Sequence, residues 1–218
     1  MSMAMPLPII TPQPHVQIRV RFEDGFLDSA LIEGLHKGQF TVHGETHSIG
    51  SPVNWCDNPS HDVEWQIVLH KFFHAPALAQ HWLDSGEHRH IALLDAHIRS
   101  WTQQVQPGFI AADVTGRRIR NWVYALALLD GAWPELADRM VASIREQVNW
   151  LRDNLHPARN HRTLELFAIY IAGVWLGEAE WSEFALAELL INARLDFLPD
   201  GAHVELSSHY HCIALRNF

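Results

Sequence analysis

The chain has 218 residues, room for one full domain, and its 48% hydrophobic and 19% charged residues supply a core and exclude a disordered chain. A net charge of −9 with histidine neutral excludes a general nucleic-acid binder, which needs a cationic surface to neutralise phosphates. Two cysteines, Cys56 and Cys212, exclude a disulfide-dense scaffold and a four-cysteine zinc site.

Among the 16 basic residues only Lys37 and Lys71 are lysines, leaving 14 arginines, the side chain suited to planar recognition of carboxylates. Histidine and tryptophan are unusually frequent, at 16 and 9 residues. The first is the neutral-pH acid/base group and the second a stacking surface for sugar rings. Met1 to Pro14 has no basic n-region and is interrupted by Pro6, Pro8, Pro12 and Pro14. It is a poor secretory signal, so the sequence reads as cytoplasmic. No apolar run reaches the length of about 18 residues that a membrane-spanning helix needs.

Residues 1–57 are expected to be an irregular segment with short strands. His15 to Phe22 alternates apolar and polar residues, as a short strand does, and Gln39 to Val42 is a candidate second strand. From residue 58 the pattern becomes helical. Asn58 with Pro59 predicts a helix start, running to about Leu83 and bending at Pro76. Ser85-Gly86 opens the next helix, to about Gln104. Pro107 to Gly116 reads as a loop, followed by a helix from Arg117 to Leu129 that ends at Asp130-Gly131. Pro134 opens a helix with Leu136, Met140, Val141, Ile144, Val148 and Leu151 on one stripe, closed by Pro157. Asn160 is a candidate cap for Arg162 to Leu176, which is apolar on nearly every face and is expected to be buried on two sides. Trp181 to Phe197 is expected to turn Leu186, Leu189, Leu190, Ala193 and Phe197 inward. Pro199-Asp200-Gly201 is a turn. The sum is an all-α series of antiparallel helices with short connections. After the last turn the chain enters an apolar segment and stops at Leu215-Arg216-Asn217-Phe218 without a capping glycine or polar tail, so truncation inside an element is expected. The competing reading is a short frayed helix.

Three constellations could carry chemistry. Asn160-His161 places an amide and an imidazole where a helix N-terminus offers free N–H groups to a carboxylate. The competing structural reading is a helix cap beside a surface histidine. His203, Glu205, His209, Tyr210 and His211 gather titratable groups around a carboxylate. A tyrosine between histidines could exchange protons near neutrality. The competing reading is a Ser207 or Ser208 cap with Tyr210 in packing. A metal site is disfavoured here, because no second ligand pair has zinc spacing. Arg117, Arg118 and Arg120 with Trp122 could hold an acidic sugar by charge pairing and stacking, or could be a solvated basic turn with Trp122 in the core.

These stretches resemble the heparinase II/III-like family of polysaccharide lyases, which includes alginate and oligoalginate lyases. The carriers are Gly116-Arg117-Arg118-Ile119-Arg120-Asn121-Trp122, Asn160-His161-Arg162-Thr163-Leu164-Glu165, and Asp200-Gly201 with Glu205, Ser207 and Tyr210-His211. The resemblance implies an incomplete (α/α) toroid over residues 58–218, with later helices and a β-sandwich domain absent. It implies β-elimination on uronic-acid glycans, with an acidic polysaccharide as partner and no cofactor or metal. By position, Asn160 would neutralise the uronate carboxylate. Tyr210 would protonate the departing oxygen. His161 would bind the carboxylate or act as the base on the opposite face. Arg117, Arg120, Trp122, Glu205, His209 and His211 would contact substrate. Members of the family are commonly exported. The alternative is a non-catalytic helical glycan-binding module, with self-association through exposed apolar surface in either case.

Overall fold

The computed structural model describes residues 17–204, 206–208 and 211–212. Along these, α1 is Ser29–His36, β1 Gln39–Val42, β2 Glu45–Ser48, α2 Val63–His70 and α3 His74–Ser85. There follow α4 His88–Gln104, α5 Ala112–Leu129, α6 Pro134–Asp153, α7 Arg159–Leu176 and α8 Ala179–Asp196. No helix among the described residues is long and apolar enough to cross a membrane.

The packing follows a two-row rule. Helices α3, α5 and α7 lie side by side, and each packs on the helix that follows it, α4, α6 and α8. Helix α4 also touches α6. This is an incomplete (α/α) toroid, and position in the rows explains each helix's composition. In α7, flanked by α5 and α8, buried residues occupy most of the circumference, as its all-round apolar sequence requires. In α6, at the edge, the buried apolar residues are the single stripe Leu136, Met140, Ile144, Val148 and Leu151. Val141, expected on that stripe, is half-buried.

Close approach fixes the row spacing. A Cβ on Gly116 of α5 would sit 3.2 Å from Glu165 Cα of α7, so glycine lets the two backbones meet. The core between α2, α3, α4 and α5 is aromatic, with Trp55, Trp65, Phe72, Trp101 and Trp122 fully buried. Arg118 lies in that core. It donates to Gln147 Oε1 at 2.7 Å, His70 O at 3.2 Å and Thr115 Oγ1 at 3.2 Å, and stacks 4.2 Å from the Trp101 ring. Burial lowers its pKa to about 9.

The N-terminal part covers one end of this array. Strands β1 and β2 form an antiparallel hairpin from Gln39↔Ser48 to Val42↔Glu45. Its two-residue turn, His43-Gly44, has positive φ at both positions, the twist that tight hairpins prefer. Helix α1 packs on β1 and α3, capped by Asp28, which accepts from the Ala30 N–H at 2.7 Å.

Several elements differ from the sequence reading. Residues 17–22 are irregular rather than a strand, and α1 stands where no helix was expected. The helix expected from Asn58 begins at Val63. Asp62 caps it by accepting from the Glu64 N–H at 2.9 Å, while Asn58 closes a turn onto the Ser60 N–H. That helix breaks at Phe72, not at Pro76. Phe72 takes φ 55°, which buries its ring in a stack on Trp55 at 5.0 Å. Pro76 then falls in the first turn of α3, where no N–H is required. Helix α5 starts at Ala112, so Gly116 is helical rather than the end of a loop. Asn160 is the second residue of α7, whose N-cap is Ala158. In α8 the inward face is Trp181, Ala185, Leu189, Asn192 and Asp196, while Leu186 and Leu190 point outward.

Candidate functional site

The first turns of α5 and α7 meet at one end of the array. Asp113, in the first turn of α5, lies with Oδ2 3.4 Å from Nδ1 of His161, in the first turn of α7. The His161 side chain is 49% exposed and that of Asp113 20%, so the pair sits at a surface opening. The Asp113 hydrogen bond, reinforced by its charge, raises the His161 pKa against an opposing effect of burial. Burial pushes Asp113 upward, but its bond and charge pairing with His161 outweigh this and leave it below the usual carboxylate range.

Asn160 is next to this pair. Its Oδ1 accepts from the His161 N–H at 2.9 Å, and its Nδ2 makes no hydrogen bond among the described residues. Ala158, the N-cap residue of α7, makes no side-chain cap bond, while Asn160 Oδ1 takes a first-turn N–H and the Asp196 carboxylate faces the Arg159 N–H. The loop before α7 is pinned from below. His156 bonds Glu165 through Nδ1, and its N–H donates to Glu165 Oε2 at 2.8 Å. Glu165 is fully buried, and burial raises its pKa. Arg162 ties the His156 carbonyl, at 2.7 Å, to Glu188 of α8, at 2.6 Å. The His156 ring packs 5.1 Å from that of His161.

Arg117 lies one turn along α5 from Asp113, on the same face. It lines a cavity of about 700 Å³ with Lys71, His43, Glu23, Asp24, Asp28 and Glu64. Burial lowers its pKa, opposed by Glu23, Asp113 and Glu64. Arg120, one turn closer to the core, is half-buried, with a pKa lowered to about 10 by burial first and by Arg117 second. It bonds Asn121 Oδ1 at 3.3 Å. Trp122, read as a sugar platform, is fully buried and meets Phe72 and Trp101 edge-on at 5.3 and 5.5 Å. It has no face to offer a ligand. Arg118, read as a secondary anion contact, is likewise in the core.

The chain returns to this end after α8. Asn192 Nδ2 donates to Thr163 Oγ1 at 2.8 Å and to the Arg159 carbonyl at 3.4 Å, which ties the end of α8 to the start of α7. It also donates to Asp196 Oδ2 at 2.8 Å. Asp196 is buried, which raises its pKa. Phe197 and His203 form an antiparallel bridge, and Val204 N–H donates to Asp196 O at 2.8 Å. His211 packs its ring 5.8 Å from Phe197. Glu205, His209 and Tyr210 lie outside the described residues. Among the described residues no three His, Cys, Asp or Glu side chains cluster as a metal site.

Asp113 and the His156–Glu165 pair were not singled out from sequence. The signal for the first was the apolar spacing Ala112, Thr115, Ile119, Trp122, Leu126, which carries the helix back past Gly116.

Fold and site together define a toroid-type helical protein with polar groups gathered at the first turns of two adjacent helices. The family model described as heparinase II/III N-terminus matches residues 23–218, and the chain belongs to that family. Its fold is similar to that in a crystal structure of heparinase III, at 18% identity and a TM-score of 0.79, over 97% of this chain and 36% of that one. It is similar also to heparan sulfate lyase HepC from Pedobacter heparinus, at 20% identity and a TM-score of 0.73, over 88% of this chain and 33% of that one. The chain thus spans about a third of the length of these proteins. No curated protein matches it.

Proposed function

We propose that this chain carries the carboxylate-binding part of a lyase that cleaves uronic-acid-containing polysaccharides by β-elimination. The observation that carries the reading is the Asn160–His161 pair. It combines an amide nitrogen that makes no hydrogen bond among the described residues with a half-exposed imidazole in the first turn of α7. Family membership supports it, as do the heparan sulfate lyase and heparinase III names of the similar structures.

In β-elimination the C5–H bond beside the uronate carboxylate breaks, a C4–C5 double bond forms, and the C4–O bond to the leaving sugar breaks. The barrier is removal of the C5 proton. Donors aimed at the carboxylate stabilise the negative charge that develops there, usually the largest contribution. Asn160 Nδ2 fills that role, and Arg117 supplies a further positive charge along α5. Tyr210 is the proton carrier in this reading, taking the C5 proton or giving one to the departing oxygen. The return of residues 197–204 to the Asn160 end supports its arrival at the same cleft. Burial in the core leaves Trp122 out of the contact set.

Incubation of the protein with heparan sulfate and with alginate tests the proposal. The expected result is new absorbance from an unsaturated uronate. New reducing ends without that absorbance would mean hydrolysis and would overturn it. Glycan binding without cleavage would favour the binding-module alternative.

A further inference from the structure

His161 has two open roles in such a lyase, as ligand of the carboxylate or as base on the opposite face. In both, the direction of its ring matters, and the groups around the ring set that direction. Asp113 meets Nδ1 from α5, at 3.4 Å. Glu165, on α7 itself, adds negative potential, while Arg117 from α5 opposes it. The His156 ring packs alongside from the loop before α7. Lys71, at the end of α2, acts on Asp113 and helps keep it ionised.

We propose that Asp113 is a positioning residue: its carboxylate, 3.4 Å from Nδ1, sets the rotation of the His161 ring and so the direction in which Nε2 faces a ligand. Only the identity of what Nε2 meets rests on the lyase reading. A carboxylate beside one ring nitrogen fixes the ring's rotation, keeps a proton on that nitrogen and leaves the other to meet a ligand. The raised pKa of His161 and the lowered pKa of Asp113 agree with this geometry. Asp113 also lies in the first turn of α5, where a negative charge stabilises the helix. The test must therefore separate stability from positioning.

Histidine-labelled protein, with the His161 resonance assigned through His161→Gln, supplies the first readout by NMR titration. The wild-type midpoint is expected above the ordinary imidazole value. In Asp113→Asn it should fall, because Arg117 and burial then act with less opposition, and Asp113→Glu should restore part of the shift. An identical midpoint in wild type and Asp113→Asn overturns the assignment. Should Asp113→Asn fail to fold, a wild-type midpoint at or below the ordinary value overturns it equally.

Cleavage of heparan sulfate, followed by the unsaturated-uronate absorbance, supplies the second readout. Asp113→Asn should raise KM about tenfold on the alkaline side, the scale of one charge-assisted hydrogen bond, with a smaller change on the acid side. An effect equal at every pH would mark a structural role and overturn the proposal. If no variant, wild type included, yields unsaturated product, the lyase reading fails while the titration still decides the role of Asp113.

Discussion

His70 is fully buried, and its partners fix its protonation state. The Trp101 indole N–H donates to Nδ1 at 3.2 Å, so Nδ1 carries no proton, while Nε2–H donates to the Trp55 carbonyl at 2.9 Å. Burial, helped by the charge of Arg118, lowers its pKa from 6.5 to about 4. Burial takes His97 to about 4 as well, and lowers the adjacent His74. In the unfolded chain these groups bind protons near 6.5, so between 6.5 and about 4 the unfolded state holds more protons. Stability is therefore full above 6.5 and lost as pH falls toward 4, at a cost on the order of 3 kcal/mol each for His70 and His97. Thermal melts across this range should show Tm falling steeply, and a flat Tm would contradict neutral burial. The site residues make a different prediction at this scale. Tyr210→Phe removes a proton carrier alone and should lower kcat by about two to four orders of magnitude with little change in binding. Asn160→Ala also removes a ground-state contact, so it should raise KM and lower kcat together. Steady-state kinetics on heparan sulfate check both, and full activity in Tyr210→Phe would sink the proton-transfer role.

At the scale of elements, the α5–α7 crossing governs the site, because it sets the distance between Asp113 and His161. Gly116→Leu would drive a side chain toward Glu165 Cα, which a Cβ alone would approach to 3.2 Å. The expected loss is about 2 kcal/mol, read as a lower Tm, and the His161 titration should shift as the first turns separate. An unchanged Tm would show that the rows can spread freely. The same crossing explains what the sequence conceals. Pro107 to Gly116 reads as a loop, yet Gly116 is helical because a neighbouring backbone needs the space. The stripe of α6 is legible because a single face is buried. In α8 periodicity places Leu189 inward correctly but puts Leu186 and Leu190 beside it, where the structure turns Ala185 and Asn192 inward instead. Polar anchors decide it, since Asn192 must reach Thr163 and the Arg159 carbonyl. The break at Phe72 is equally hidden, because aromatic burial imposes it within a run of good helical pattern. Asn160–His161 is legible as adjacent polar residues at a helix start, whereas the partner on α5 depends on tertiary packing.

For the whole molecule, the two-row rule leaves one apolar surface without a neighbour among the described residues. Helix α8 packs inward on α7, and its outer side exposes Leu186 at 48%, Leu190 at 57%, Ile191 at 50% and Leu195 at 61%. Leu186 and Leu190 are one turn apart, as are Ile191 and Leu195, and the two pairs lie on separate flanks of the outer side, roughly 140° apart, with Glu183 and Arg194 between them. Leu198, 38% exposed, adds to the second flank past the helix end. Soluble monomers rarely expose a contiguous apolar patch above roughly a few hundred Å². In an (α/α) toroid, an outer-row helix at the end of the array presents such a face to whatever packs next. The chain by itself is therefore expected to self-associate through α8. Sedimentation velocity should show concentration-dependent dimers or larger species, and Leu190→Glu with Leu195→Glu should shift them to monomer without lowering Tm, because neither side chain contributes to the core. Burying one such apolar flank against another removes apolar surface worth about 25 cal/mol per Å², enough for weak association when several leucines are involved. A wild-type chain that sediments as a monomer at every concentration would contradict the prediction.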